Sequence, residues 1–271
     1  MFDGVFKSAE TAEAWAKGAA QRAEYLLGAT ERMLDAARLQ PGSCVIDIGT
    51  GTGDTAILAA RRVGPRGSVL ATDASTQMLE VAANAARAQG MANVEMRQMD
   101  GSRLMIELPF DAVIGRNSMQ FLPGWPAPLQ GFRAALRAGG RLSFVVWGAV
   151  AENPYSALPL TVARDHGWLR PEELSTATPF SLGDADRLAI DLKAAGFSDV
   201  EIEPVKFEIR LPRDAALANR MRSPMFSTTA NALSESDRAA YERAMADALE
   251  RDVDGDGVIA RGLSLVASGT A

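Results

Sequence analysis

The chain has 271 residues, 47% of them hydrophobic and 23% charged, enough apolar material for one full α/β core. A formal charge of −6 without any basic run excludes a polyanionic partner such as nucleic acid, which requires a basic footprint. No basic or apolar leader opens the sequence and no apolar run reaches membrane-spanning length, so a cytoplasmic protein with no membrane partner is expected.

Residues 8–39, with Trp15, Ala19, Arg22, Tyr25 and Leu26 at helical spacing, predict a helix ahead of the first strand. Cys44, the only cysteine, opens that strand and is expected to be buried. One thiol rules out an internal disulfide and a cysteine-ligated metal, and no metal site is expected. Val45, Ile46 and Ile48 predict a short buried strand that breaks into Gly49-Thr50-Gly51-Thr52-Gly53, and residues 55–63 predict a helix. A strand that passes through closely spaced glycines into a helix brings bare backbone to a ligand at the helix N-terminus. The spacing is Asp47-x-Gly-x-Gly-x-Gly, and Asp54 stands where Gly-x-Gly-x-x-Gly would place its third glycine. That departs from the dinucleotide fingerprint and disfavours a nicotinamide oxidoreductase. Asp47 also fits poorly beside a pyrophosphate, whereas it suits a ligand carrying an ammonium group.

Residues 69–73 predict a second strand ending in Asp73, twenty residues past Gly53. At that distance a carboxylate can accept from both hydroxyls of a ribose, although such an acid is often only a turn or cap residue. Ser75 caps a helix with Met78, Leu79, Ala82, Ala83 and Ala86 on one face, closed by Gly90. A third strand over 93–97 leads to Met99-Asp100-Gly101, and a fourth over 111–114 ends in Gly115-Arg116-Asn117-Ser118-Met119. Residues 136–147 read as a helix end, a Gly-Gly turn and a fifth strand. An irregular, proline-containing stretch over 150–183 carries Tyr155, Trp168 and Phe180. A helix over 181–195 and a strand over 200–211 follow, with Glu201, Glu203 and Lys206 facing away from the strand's apolar residues. Residues 213–251 read as helical, with Met221, Met225, Phe226 and Met245, and a last strand over 258–267 pairs with 200–211.

The glycine loop, the acids Asp73 and Asp100, the segment after the fourth strand and the Gly-Gly turn occur in an order that resembles the class I S-adenosylmethionine-dependent methyltransferases. The likeness is closest to the small-molecule enzymes of the ubiquinone and menaquinone type. It is good over 41–148, moderate over 185–205, and poor over 150–183 and 213–251. The resemblance implies a Rossmann-like, doubly wound α/β sheet of seven strands, the last antiparallel, with helical lid elements. It implies a single domain over 1–271: a helical cap (1–40), a cofactor-binding half (41–148) and a substrate-side half (149–271) with a helical insertion at 213–251. S-adenosylmethionine is the implied cofactor and S-adenosylhomocysteine the product. The implied cofactor-binding residues are Asp47, Gly49, Thr50, Gly51, Gly53, Asp73, Ala74, Met78, Asp100, Gly101, Arg116 and Asn117. The partner implied is a small-molecule acceptor, and a homodimer is left open. A single cysteine excludes arsenite methylation, known in related sequences, because arsenic needs several thiolates.

Methyl transfer from a sulfonium requires alignment and a dry site more than a nucleophile. His166, the only histidine, is the candidate general base; its other reading is a solvent-facing residue at a helix or loop end. Asp165, Glu152 and Tyr155 are further candidates, and Asn117 or Ser118 could hydrogen-bond an acceptor oxygen. Trp147, Trp168, Phe180, Met221, Met225 and Phe226 suggest an apolar or aromatic acceptor, with O- and C-methylation not separated. A protein of the same fold that binds the cofactor without transferring methyl, such as a cyclase or binding module, would keep the same loop and acids. Two patterns mislead. Asp252-Val253-Asp254-Gly255-Asp256-Gly257 imitates a calcium loop but has Leu263 where a bidentate glutamate belongs, so a turn before the last strand is expected. Asn153-Pro154-Tyr155 imitates a base-methylating motif but follows the fifth strand and lacks its second proline.

Overall fold

A computed structural model describes residues 17–104, 106, 109–169 and 179–271; Trp15 of the expected first helix lies outside them. The strands are β1 (Cys44–Ile48), β2 (Ser68–Asp73), β3 (Val94–Gln98), β4 (Phe110–Arg116), β5 (Leu136–Trp147), β6 (Ser198–Pro212), β7 (Val253–Asp254) and β8 (Gly257–Thr270). They form one sheet in the order β3-β2-β1-β4-β5-β8-β6, with the short β7 paired to β8. β8 runs antiparallel to both its neighbours, with Val145 opposite Val266 and Val205 opposite Ser264. The expected sheet is therefore present, and its final strand is inserted between β5 and β6. The chain winds outward in both directions from the β1–β4 pair, so the loops leaving those two strands diverge and open a crevice at their C-terminal ends.

The central strands are apolar on both faces, as strands covered on both sides must be. Val45, Ile114, Val145 and Val266 face α2 (Leu27–Ala36) and α3 (Asp54–Val63). Ile46, Val113, Phe144 and Leu265 face α5 (Pro128–Ala135) and α7 (Ala185–Ala194). α4 (Thr76–Ala88) lies on β2 and β3, its start capped by the Ser75 hydroxyl, which accepts from the Met78 amide at 3.2 Å. A second core, around the fully buried Tyr241 and Met245, joins α6 (Pro154–Asp165), α8 (Arg213–Met221), α9 (Pro224–Asn231) and α10 (Glu235–Glu250). No helix among the described residues is long and apolar enough to cross a membrane.

Several expectations need correction. Cys44 is exposed, because the first residue of β1 sits at the rim where its amide meets the Asp111 carboxylate at 2.6 Å. The segment 8–39 is not one helix in its described part: it breaks at Leu26, so that α1 (Ala19–Tyr25) reaches β6 while α2 lies on β5 and β8. The proline-containing stretch after β5 is ordered into α6, since Pro154 occupies the first helical turn, where its missing N–H is no loss. The following helix starts at Ala185 rather than 181, where Asp184 accepts from the Arg187 amide at 3.0 Å. Before β5, the helix ends at Ala135, and the Gly139-Gly140 region belongs to β5 as an irregularity in its pairing with β4. The insertion 213–251 is three helices, separated where Ser223 and Ser234 cap α9 and α10. Glu203 does not face away from Val205: it shares that face and meets Arg32 of α2 at 3.5 Å.

Candidate cofactor and acceptor site

The crevice is floored by the loop after β1, where Gly49, Gly51 and Gly53 all have positive φ (68°, 55° and 84°). Only residues without a Cβ hold that run of left-handed conformations cheaply. Two of these glycines also permit close approach. A Cβ on Gly49 would lie 2.5 Å from Ser118 Cβ, and one on Gly53 would lie 2.8 Å from Ala82 Cβ of α4.

Asp47 lies beneath this loop and is fully buried. Thr50 Oγ1 donates to its Oδ2 at 2.7 Å, and the Thr72 hydroxyl donates to its backbone carbonyl at 2.9 Å. Its Oδ1 has no partner among the described residues. Burial pushes the carboxyl up to about 7, against the Thr50 hydrogen bond and the Arg116 charge, which favour the ionised form. Asp73, at the end of β2, accepts from the Gly51 amide through Oδ2 and from the Ser75 amide through Oδ1, both at 2.9 Å. Burial raises its pKa, and these amides oppose the shift. Glycine loop, Asp47 and Asp73 are thus brought together.

The remaining expected residues lie at the neighbouring strand ends. Ala74 is exposed, its carbonyl accepting from Gln98 Nε2 at 3.1 Å, and Met78 is buried. Asp100 accepts from the Ser102 amide (2.9 Å) and hydroxyl (2.6 Å) through Oδ1, so part of its carboxylate is held by its own turn. Gly101 is buried, with Ile48 Cγ2 2.7 Å from where its Cβ would stand. Arg116 turns toward the loop: it pairs with Asp54, the first residue of α3, and donates to Thr30 Oγ1 of α2 at 3.0 Å. Asn117 has φ 52°; its amide donates to the Val145 carbonyl at 2.8 Å and its Oδ1 is buried without a partner. The Ser118 hydroxyl is already committed to the Ile48 carbonyl at 2.6 Å.

Beside the crevice, at the C-terminal end of β5, four rings from four segments converge. The Tyr25 ring lies 5.3 Å from Phe207 and 6.2 Å from Trp147, and Trp147 lies 5.9 Å from Phe207 and 6.4 Å from Phe180. Sequence reasoning does not single out Tyr25 or Phe207 as wall residues. Strand alternation nevertheless signals Phe207, since it puts that ring on the same face as Val205 and Ile209. Trp168 and Phe226, expected as wall, pack instead on Tyr241 at 5.6 Å and 4.9 Å inside the helical core. The Tyr155 hydroxyl donates to the Ala216 carbonyl at 3.2 Å.

His166 is not brought to the crevice. It is exposed at the C-terminus of α6, stacked on Trp168 at 4.8 Å, and its recess is lined by α10 residues including Arg243 and Asp247. Twelve helical residues, about 18 Å at 1.5 Å each, separate it from Asn153, the end of α6 that touches the sheet. Asp165 pairs with Arg164, and the Glu152 carboxylate accepts from the Ala149 amide at 3.1 Å. Asn153 is structural, donating to the Ala149 and Leu263 carbonyls and accepting from the Leu263 amide. The Asp254–Gly257 turn closes the β7–β8 hairpin, with Arg210 bound to Asp254 and Asp256.

Comparison with known proteins agrees with this geometry. Residues 45–140 match the family model described as a methyltransferase domain. The chain is 31% identical over 211 residues to nocamycin O-methyltransferase of Saccharothrix syringae, covering 72% of this chain and 73% of that protein. It is 26% identical over 189 residues to demethylmenaquinone methyltransferase of Geobacillus kaustophilus, covering 63% and 77% respectively. It shares its fold with a putative methyltransferase from Bacillus halodurans, at TM-score 0.58 and 19% identity, over 89% of this chain and 97% of that one. With a glycine loop, a buried acid and a ribose-spaced acid set on that fold, the chain belongs to the class I S-adenosylmethionine-dependent small-molecule methyltransferases.

Proposed function

We propose that the protein transfers the methyl group of S-adenosylmethionine to a hydroxyl oxygen or activated carbon of a small, largely apolar or aromatic acceptor, by in-line displacement. The observation that carries this reading is Asp47, a fully buried carboxylate with one oxygen held by Thr50 and the other unpartnered. An isolated buried acid is destabilising, and a ligand ammonium supplies the missing donor and the opposite charge together. In this reading Gly49, Thr50, Gly51 and Gly53 give the ligand their backbone, and Asp73 takes the ribose. Ala74, Met78, Asp100 and Gly101 border the adenine, while Arg116 and Asn117 close the methyl side.

The bound sulfonium supplies an already activated methyl group, so what remains for the protein is to orient the acceptor and exclude water. Asn117, directly after β4, supplies a hydrogen bond to the acceptor oxygen. Ser118 is committed to Ile48, which leaves Asn117 as the better of the two expected contacts. Tyr25, Trp147, Phe180 and Phe207 receive the apolar body of the acceptor. His166 stays a helix-end residue in this reading. The two named relatives, nocamycin O-methyltransferase and demethylmenaquinone methyltransferase, support a small molecule as acceptor, and the first supports oxygen as the atom.

Calorimetric titration with S-adenosylmethionine and S-adenosylhomocysteine, followed by labelled-methyl transfer to phenols, quinols and polyketide-like acceptors, tests the proposal. Binding of both with transfer to one class supports it. Binding of both with no transfer favours a cofactor-binding cyclase or module of this fold, and binding of neither overturns the site.

A further inference from the structure

Several arginines of the described residues that are half-buried or buried are matched to partners. Arg116 pairs with Asp54, Arg62 with Glu31 and Asp35, and Arg141 donates to the Ala36 carbonyl and to the Thr270 and Ser268 hydroxyls. Arg220 of α8 differs. Its guanidinium lies 4.4 Å above the Tyr155 ring, Nη1 donates to the Ser156 carbonyl at a long 3.3 Å, and its buried Nε has no partner. Among the described residues no carboxylate pairs with it. Its platform is fixed, because the Tyr155 hydroxyl is tied to the Ala216 carbonyl one turn earlier on α8. A half-buried guanidinium with a buried, unpartnered Nε can take an anion, and the fold holds this one in a defined place.

That place adjoins the aromatic cluster. Trp147, in ring contact with Tyr25 and Phe207, packs against the helical core that holds Tyr155 and Phe180. The wall of the proposed acceptor pocket is therefore apolar in its rings, with the Arg220 guanidinium on its Tyr155 side. An aromatic body with one negative oxygen group fits such a wall: the rings take the body, and a guanidinium edge takes the oxygens by charge-assisted hydrogen bonds.

Resting on the methyltransfer reading above, we propose that Arg220 selects the acceptor: the substrate is an acidic aromatic molecule whose carboxylate or ionised enol binds Arg220 over the Tyr155 ring. Arg220 is a specificity residue here, remote from the transferred methyl, and a neutral analogue of the same shape binds less well.

The test uses the protein loaded with S-adenosylhomocysteine and titrated with 1-hydroxy-2-naphthoate or its uncharged amide, in the wild type, Arg220→Gln and Arg220→Lys. The expected result is that wild type prefers the acid by about tenfold or more, the low end for a charge-assisted bond. Arg220→Gln abolishes the preference, Arg220→Lys keeps part of it, and affinity for S-adenosylhomocysteine is unchanged in both. Equal binding of acid and amide, a preference that survives Arg220→Gln, or binding of neither probe to the loaded protein overturns the proposal. Loss of S-adenosylhomocysteine binding in the wild type would instead count against the methyltransferase site itself, so the two failures are told apart.

Discussion

Asp73 accepts a hydrogen bond from the Gly51 amide at 2.9 Å, so the acid that ends β2 holds the middle glycine of the loop that follows β1. The same carboxylate accepts from Ser75 at the start of α4. It therefore positions the crevice floor, and under the proposed function it also offers oxygens to a ribose. Asp73→Ala is expected to weaken S-adenosylhomocysteine binding by about 1.5–3 kcal/mol, the range for a charge-assisted bond to a buried site. Calorimetry checks this, and a loss well under tenfold would mean that Asp73 is only a cap.

Gly53 combines a φ of 84° with a Cβ position 3.0 Å from the Ala82 backbone, which cannot yield as a side-chain tip can. Gly53→Ala should lower stability by about 2–4 kcal/mol, strain and overpacking together, and should also displace the loop from its ligand. Gly64 is the control, with φ 66° and nothing within 4 Å of its Cβ position. There the same substitution carries the strain alone, about 1–2 kcal/mol. Denaturant melts of the two variants should separate the terms.

The Asp47 carboxyl, held at about 7 by burial among Thr50, Arg116, Asp54 and Asp73, makes two pH effects of opposite sign. In the ligand-free protein the fold retains a proton that the unfolded chain has lost above about pH 4, so this group makes stability fall as pH rises from about 4 to 7. An ammonium ligand needs the ionised form, so its affinity should rise up to tenfold per pH unit as pH climbs toward 7 and level off above it. In Asp47→Asn both slopes attributable to this residue should vanish. Thermal melts and titrations between pH 5.5 and 8.5, about 1.5 units either side of the shifted value, supply the comparison.

His166 at the exposed end of α6 touches Trp168 and the α10 surface, away from the glycine loop. His166→Ala should leave cofactor affinity and turnover within about twofold, as exposed substitutions do. A drop in turnover with affinity intact would restore it as a base.

The cofactor half is legible in the sequence because its signals are local. Three glycines within five residues, an acid before them and another at a fixed distance after them each constrain backbone that is contiguous in the chain. The seven-stranded sheet with its antiparallel strand is expected only from the family resemblance. What the sequence hides is set by long-range pairing. Tyr25 and Phe207 are 182 positions apart and meet only because β6 is the outermost strand and α1 lies against it. Arg220 looks like one of many scattered arginines, and its lack of an acid partner is visible only once α6 and α8 are packed. Pro154 misleads in the other direction, since a proline that breaks a helix in its middle favours one at its start. Asp54 reads in the sequence as a departure from a glycine fingerprint, whereas in the folded chain it holds Arg116.

The insertion of β8 between β5 and β6 has a consequence for how the molecule is made. As the chain leaves the ribosome, β6 emerges well before the strand that will separate it from β5, and its backbone has no ladder to join. β1 to β5 are parallel to one another, and the β5 edge is open until Gly257–Thr270 is in place and satisfies two neighbours at once. Leu263, in the middle of that strand, also anchors Asn153 and the start of α6. The strands that carry Trp147 and Phe207 are therefore tied together only once β8 has been made and lies between them.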